Sequence, residues 1–174
     1  IEPFVNIERP SEDMARNIVG GGSQGTAIVH GYATKETREF LPRVFVYANA
    51  LARRIDDLRK TDDSCGWLCP DGKVQLTMDG QRPTCVTVLV QHLDKMNLQQ
   101  IQAQLVDQVV TPILGETDGL KLFVNSGGNF CTGGFAAGGG ASSRKVTADT
   151  YGGLLPSSDA GLSGKDPRKP HRAG

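Results

Sequence analysis

The chain has 174 residues, with 19 basic and 19 acidic side chains and a formal net charge of zero. This length allows a substantial hydrophobic core, and a zero net charge gives no long-range field that would attract nucleic acid or a membrane surface. The apolar runs are far shorter than the roughly 20 residues that a membrane-spanning helix requires. The 22 glycines cluster in loops without a fixed period, which excludes collagen.

The cysteines are irregularly spaced, at Cys65, Cys69, Cys85 and Cys131. Neither a second close pair of cysteines nor a pair of histidines accompanies Cys65 and Cys69, so the spacing predicts no zinc site and no disulfide framework. We therefore expect free thiols and a cytoplasmic, reducing compartment.

The first predicted elements are a strand and a helix. Residues 1–31 form a loop-rich opening segment, and the apolar run over residues 26–33 predicts a short buried strand. A helix is predicted from Pro42 onward, because apolar residues recur at 3.6-residue spacing. These residues are Val44, Tyr47, Ala48, Leu51, Ile55 and Leu58.

A hairpin and a second helix follow. Residues 61–73 predict a turn-rich loop with its sharpest point at 70–72, and strands are predicted over 74–78 and 84–90 with Asp79-Gly80 supplying the turn. Asn97 is the predicted N-cap of the second helix, with Gln100 as its capping-box partner. The apolar stripe of this helix comprises Leu98, Ile101, Leu105 and Val109.

Two further strands are predicted over 122–124 and 145–149, separated by a segment, 125–143, that is too glycine-rich for helix or strand. The order β-α-ββ-α-β predicts a two-layer α/β (α+β) fold with helices on one face of a mixed sheet. The other sheet face must also be covered, which predicts a partner sheet and an oligomer.

We divide the chain into three segments: the opening segment 1–31, a central α/β domain 32–124, and residues 125–174. The last segment comprises the glycine-rich loop and the truncated start of a second domain.

The segment Gly161–Pro170, GLSGKDPRKP, has the composition of a phosphate site. Gly164 permits close backbone approach, and Lys165 and Lys169 are point charges suited to phosphate oxygens. It is not a P-loop, because Asp159 stands where the first glycine belongs and Asp166 follows the lysine. Taken alone, the segment favours a solvated basic turn over a phosphate site.

Five motifs occur in one order along the chain: GYATKET (31–37), PDGKVQLT (70–77), VQH (90–92), RKVTADTYGG (144–153) and GLSGKDPRK (161–169). Together they resemble the central region of S-adenosylmethionine synthetase, or methionine adenosyltransferase, over nearly the whole chain. The resemblance implies subunits of three similar α/β domains whose flat sheets stack face to face across a dimer. It also implies a reaction in which the sulfur of L-methionine attacks the 5′ carbon of ATP, with Mg²⁺ and K⁺ as cofactors, and the released tripolyphosphate is hydrolysed.

The resemblance assigns roles to particular residues. Three of them, Lys165, Lys169 and Arg144, are the expected catalytic groups, because they would stabilise charge on the leaving triphosphate. The expected nucleotide- and phosphate-binding residues are Asp71, Lys73, Arg144, Lys145, Lys165 and Lys169. No residue is assigned to a metal. By this resemblance the 161–170 segment binds phosphate, and the solvated-turn alternative becomes the lesser one.

Departures from the family pattern affect charged positions. Ser23 and Gly138 stand where the family has aspartates, Asn129 and Cys69 where it has arginines, and His171 where it has an aspartate. The mobile loop that gates the family's site looks deleted after Asn17-Ile-Val19. By the resemblance, the family's His-containing segment would lie before Ile1 and its last domain after Gly174. We therefore expect the chain alone not to synthesise S-adenosylmethionine.

Three hypotheses follow. The chain is a diverged subunit contributing half of a shared site, a non-catalytic paralogue with a structural or regulatory task, or a portion of an active enzyme. We rank them in that order, with ATP, L-methionine and an intact family subunit or a second copy as partners, and without nucleic acid or membrane. For two further residues, a structural role competes with a functional one. His92 is predicted to be structural, and Trp67 either stacks on an adenine or packs in the core.

Overall fold

The structure, a computed structural model, describes residues 4–9, 11–16, 19–22, 28, 30–115, 118–138, 151–156 and 167–168. The chain divides into two compact units, one formed by residues 1–31 together with 142–174 and the other by residues 32–141. The described part of the first unit contains the short helix α1 (Glu12–Ala15). The predicted strand over 145–149 lies outside the described residues, and the three-segment division of the chain stays a prediction.

Helix α2 spans Arg43–Thr61 and confirms the first predicted helix. Pro42 directly precedes it as the N-cap residue, where a missing N–H costs nothing because the first N–H groups of a helix have no partner within it. Leu51 and Leu58, seven positions apart on one face, are buried in the core, and Ile55 packs against the same core. The predicted apolar spacing therefore identifies the face that packs on the sheet.

The sheet has three strands in the order β1-β2-β3: β1 (Leu68–Asp79), β2 (Arg82–His92) and β3 (Lys121–Val124). Strands β1 and β2 are antiparallel and joined by the two-residue turn Gly80-Gln81, in which Gly80 has a φ of 54°. The predicted hairpin is confirmed, and glycine suits this turn because positive φ costs it little. Strand β3 runs parallel to β2, so the sheet is mixed.

The second helical stretch begins at Asn97, as predicted. Its side-chain Oδ1 accepts a hydrogen bond from the backbone N–H of Gln99 at 2.8 Å, so the side-chain cap is made to that residue. The stretch runs as α3 (Leu98–Leu105), a π-helical turn (Val106–Val110) and α4 (Thr111–Leu114). It forms the crossover connection that parallel strands β2 and β3 require.

The π-helical turn precedes a proline within the helical stretch. In a regular α-helix the carbonyl of Gln108 would accept from the N–H of residue 112, but Pro112 has no N–H. The Nε of Arg54, on α2, donates to this carbonyl at 3.0 Å instead. The side chain of Gln108 is also bound, because its Oε1 accepts from the Cys65 thiol at 3.0 Å. The hydrogen bond lost to proline is thus replaced by one that joins the helices.

The helices lie on one face of the sheet and share one hydrophobic core with it. The buried apolar members are Leu51, Leu58, Cys65, Trp67, Leu68, Val86, Val88, Val90, Ile101, Leu105, Val109 and Val110. Alternate residues of β2 contribute three of these, which is the two-residue period of a strand buried on one face. The α+β fold with helices on one face of a mixed sheet is therefore confirmed.

Two sequence predictions were wrong. In the predicted strand over 26–33, the described residues Ile28 and 30–33 belong to no strand and are exposed, Ile28 to 77%. A short apolar run beside a glycine cluster carries too little periodicity to separate strand from loop. The predicted loop over 61–73 instead contains a 3₁₀ turn (Asp63–Cys65) and the first residues of β1. Pro70 and Gly72 indicate a turn by type but lie within the strand.

All four cysteines are free thiols, as predicted. Burial raises the pKa of the Cys65 thiol, which keeps this core residue in its neutral, hydrogen-bonding form.

Among the described helices, none combines the length and the apolar composition needed to cross a membrane.

Candidate functional site

A bulge at the start of β1 shapes the candidate site. Leu68 pairs with His92 and Gly72 pairs with Val90, so four steps along β1 face two steps along β2. The extra residues displace Cys69-Pro70-Asp71 from the regular ladder, and proline is tolerated there because it needs no ladder partner. Bulges of this kind redirect side chains beside functional sites. Here the redirected residue is Asp71, to which the family resemblance assigns nucleotide binding.

The side chain of Gln91, on β2 opposite the bulge, hydrogen-bonds both to the bulge and to the loop residue Cys131. Its Oε1 accepts from the backbone N–H of Asp71 at 3.4 Å, and its Nε2 donates to the carbonyl of Cys131 at 3.0 Å. The Asp71 carboxylate in turn accepts from the backbone N–H of Gly134 at 2.6 Å. Residues 131–134, which we call the capping segment, thus hold one oxygen of the carboxylate in place.

His92 anchors Phe130, the residue directly before the capping segment. Its backbone N–H donates to the carbonyl of Phe130 at 2.9 Å, and its Nε2 accepts from the backbone N–H of Phe130 at 3.2 Å. Its Nδ1 lies 3.0 Å from the carbonyl of Leu93, so a neutral ring protonated on Nδ1 satisfies both contacts. His92 is fully buried. The prediction that it is structural is confirmed.

A cleft of about 210 Å³ lies between α2 and the start of β1. It is lined by Ala52, Ile55, Asp56 and Arg59 from the helix and by residues 69–74 from the strand. Arg59 contacts the Asp56 carboxylate at 2.7 Å, and Lys60 also contacts it. Hydrogen bonds from Lys60 and then Arg59 lower the pKa of Asp56, which stays ionised and offsets part of the local positive charge.

The structure brings two of the predicted site residues, Asp71 and Lys73, together on the wall of this cleft. The other four, Arg144, Lys145, Lys165 and Lys169, lie outside the described residues, as do Ser23 and His171. Sequence reasoning missed Arg59, Gln91 and Gly134. For Gln91 one signal existed, since it stands next to His92 in the VQH motif.

The family resemblance implies Mg²⁺, which oxygen ligands such as carboxylates would hold. Within the described ranges, no group of three or more His, Cys, Asp or Glu side chains is placed to hold a metal ion. Of the two acids in the cleft, Asp56 is paired with Arg59 and Lys60, and Asp71 has one oxygen bound to Gly134. The described residues therefore do not fit a Mg²⁺ site.

Trp67 is the single tryptophan of the chain, and its placement bears on the two alternatives for it. It is 5% exposed in the core cluster, and its backbone carbonyl accepts from the N–H of Leu93 at 3.0 Å. The ring therefore packs in the core. We expect its fluorescence emission to be blue-shifted as for a buried indole, and to stay unchanged when ATP is titrated in. Saturable quenching by ATP, with a urea-unfolded sample as the exposed reference, would show instead that the indole stacks on the base.

Comparison with known proteins gives a consistent result. A family model described as the central domain of S-adenosylmethionine synthetase matches residues 19–130. The S-adenosylmethionine synthases of Pseudothermotoga lettingae and Petrotoga mobilis are each 38% identical to the chain over 164 residues, which is 89% of the chain and 41% and 40% of those proteins. The enzyme of Kosmotoga olearia is 39% identical over 165 residues, 90% of the chain. The chain thus spans about two fifths of the length of these relatives.

Proposed function

Since the chain belongs to the S-adenosylmethionine synthetase family, we propose that it binds ATP through its polyphosphate and contributes part of a shared site for making S-adenosylmethionine from ATP and L-methionine. The observation that carries the proposal is the placement of Asp71 and Lys73. Both lie on the wall of an open cleft, and the capping segment holds the Asp71 carboxylate by a 2.6 Å hydrogen bond. A carboxylate acceptor held in place beside a cation suits the hydroxyl or amino groups and the phosphates of a nucleotide.

Each of the two residues has a distinct task in this proposal. The backbone N–H of Gly134 occupies Oδ2 of Asp71, while Oδ1 accepts no hydrogen bond from the described residues. Oδ1 then accepts from a hydroxyl or amino group of the nucleotide. Lys73 is exposed on the same wall and supplies a positive charge for a phosphate oxygen. Arg59, which the sequence did not indicate, adds a second cation to the cleft.

The chemistry itself would depend on electrostatic stabilisation. Displacement of tripolyphosphate by a thioether needs a positioned nucleophile and cations around the leaving group. We propose that Lys165, Lys169 and Arg144 act as these catalytic groups, with Lys145 beside them at the phosphates. Mg²⁺ and K⁺, which the family uses, would be supplied in a complex with a partner subunit.

The outer face of the sheet supports the proposal of a partner. Phe123, on β3, is 46% exposed on the face opposite the helices, and Leu89, on β2, is only partly buried there. Partly exposed apolar side chains on the outer face of a sheet favour packing against another sheet. We propose either a homodimer or a hetero-oligomer with an intact family subunit, joined through this face.

A second candidate function is a non-catalytic paralogue with a structural or regulatory role in a larger assembly. It is favoured by Asn129 and Gly138, two exposed positions at which the family pattern has an arginine and an aspartate. Loss of such charges removes stabilisation that is needed only in the transition state. The folded sheet and its outer face would remain available for assembly.

One experiment separates the two candidates. The chain is mixed with an intact S-adenosylmethionine synthase subunit, the complex is isolated and verified by native mass spectrometry, and its synthesis of S-adenosylmethionine is measured. We expect Asp71→Asn or Lys73→Ala in this chain alone to lower kcat/KM for ATP about tenfold, because each removes one charged contact. The matched control is Lys121→Ala, which removes an exposed lysine on β3. Its pairing partner, Cys85, lies toward the end of β2 that is away from the bulge and the cleft. Activity indifferent to both site variants would favour the structural role.

A further inference from the structure

We infer that Gln91 is a positioning residue that sets the direction of the Asp71 carboxylate by holding both the bulge and the capping segment. Its role in nucleotide binding rests on the function proposed above. The structural part of the inference stands on contacts within the unit of residues 32–141 alone.

The bulge creates the need for this residue. Asp71 lies between the paired positions Leu68 and Gly72, where the ladder between β1 and β2 is interrupted, so its N–H has no regular strand partner. Backbone donors removed from a ladder must find another acceptor or lose free energy. The side chain of Gln91, the β2 residue opposite the bulge, provides that acceptor with its Oε1 at 3.4 Å.

The same amide group fixes the capping segment. The Nε2 of Gln91 donates to the carbonyl of Cys131 at 3.0 Å, three residues before the N–H that donates to the Asp71 carboxylate. One side chain therefore sets both the backbone from which Asp71 projects and the segment that binds its carboxylate. A glutamine amide suits this position, because the two contacts require one acceptor and one donor at the end of the same side chain. Glutamate would place a carboxylate oxygen against the Cys131 carbonyl.

Gly133 makes the arrangement sensitive to a single methyl group. A Cβ built on Gly133 would lie 2.3 Å from Oε1 and 2.5 Å from Cδ of Gln91. The φ of Gly133 is −127°, which any residue adopts, so glycine is needed here for space and not for backbone freedom. Because the end of a glutamine side chain moves easily, an alanine at 133 would displace the amide from its two hydrogen bonds. The following residue, Gly134, has a φ of 60°, which suits glycine for a different reason.

The test measures hydrogen exchange of the Gly134 amide by NMR in the 174-residue chain, together with the Kd for ATP. We expect Gln91→Ala and Gly133→Ala each to speed exchange at Gly134 about tenfold or more, since a protecting hydrogen bond is lost. The amide of Asn125, which donates to Val88, should be unaffected and reports on the sheet as a whole. The matched control is Gln75→Ala, an exposed glutamine on β1.

A double variant makes the inference specific. If Gly133→Ala acts by displacing the amide, it has no further effect on Gly134 once Gln91 is alanine, and the two changes are far from additive. Unchanged exchange at Gly134 in both single variants, or full additivity in the double variant, would overturn the positioning role. If either single variant fails to fold, the other still gives the Gly134 result.

ATP binding separates this inference from the proposed function. We expect both single variants to raise the Kd for ATP about tenfold, as a misdirected carboxylate loses one charge-assisted contact. Faster Gly134 exchange with an unchanged Kd would overturn the functional part of the inference. If the unaltered chain and its complex with an intact subunit both bind no ATP, the proposed function fails, while Gly134 exchange still decides whether Gln91 positions Asp71.

Discussion

Replacement of Asn125 by leucine is expected to lower the free energy of unfolding by about 3–5 kcal/mol, a large part of the stability of a small unit. Asn125 directly follows β3 and continues its pairing through its side chain. Oδ1 accepts from the N–H of Val90 at 2.9 Å, and Nδ2 donates to the carbonyl of the same residue at 3.0 Å. Leucine would leave both backbone groups of Val90 without these partners in the core.

The backbone of Asn125 adds to this cost. Its φ is 43°, in the left-handed region that asparagine tolerates better than leucine. Asn125 is 3% exposed, so water cannot replace the lost hydrogen bonds. Urea denaturation of the chain would measure the change, with Asn129→Leu, at an exposed asparagine of the same loop, as the matched control. A loss below about 1 kcal/mol would show that the two side-chain hydrogen bonds contribute little net stability.

The double variant Lys165→Ala/Lys169→Ala is expected to weaken tripolyphosphate binding about 100-fold, or roughly 2.7 kcal/mol. In the proposed function these lysines are the cations that bind phosphate oxygens in the 161–170 segment. Isothermal titration calorimetry at fixed ionic strength would measure the affinity, and the loss should shrink as salt is raised because screening weakens charge contacts.

The control for this variant carries the same change in net charge. Lys95→Ala/Lys121→Ala removes two exposed lysines from the turn before α3 and from β3. We expect its affinity to fall less than threefold, within the range of a general effect of net charge. Equal losses in the two double variants would mean that the segment is a solvated basic turn, the alternative that the residues favour when they are taken alone.

Much of the fold could be predicted from local patterns. Helix α2, the β1–β2 hairpin and the Asn97 cap follow from apolar spacing, turn chemistry and capping preference, each acting over a few neighbouring residues. The first half of β1 could not be predicted in this way. Pro70 and Gly72 favour a turn locally, and only pairing with β2 places them in a bulged strand. Similarly, the apolar run over 26–33 contains no signal that distinguishes it from an exposed loop.

The candidate site, like the fold, could be predicted only where local sequence patterns determine it. Asp71 and Lys73 were predicted because both belong to one short motif. Gln91 and Gly134 act on Asp71 from 20 and 63 residues away along the chain, and no local pattern connects them. The free space that Gly133 must leave for Gln91 depends on how the capping segment folds over the strands. Arg59 looked like an ordinary cation in the last turn of α2 and became a cleft residue only through packing.

The bulge in β1 also has a consequence for association between chains. β1 is the outermost strand of the described sheet, and an edge strand of 12 residues offers unpaired backbone groups to any other extended chain. The displaced residues 69–71 interrupt this edge near its start, and Pro70 has no N–H to offer a neighbouring strand. The regular edge then runs from Gly72 to Thr77, where the pairing with β2 shifts again before Met78. The bulge that displaces Asp71 from the ladder thus also shortens the stretch along which aggregation of misfolded chains could begin.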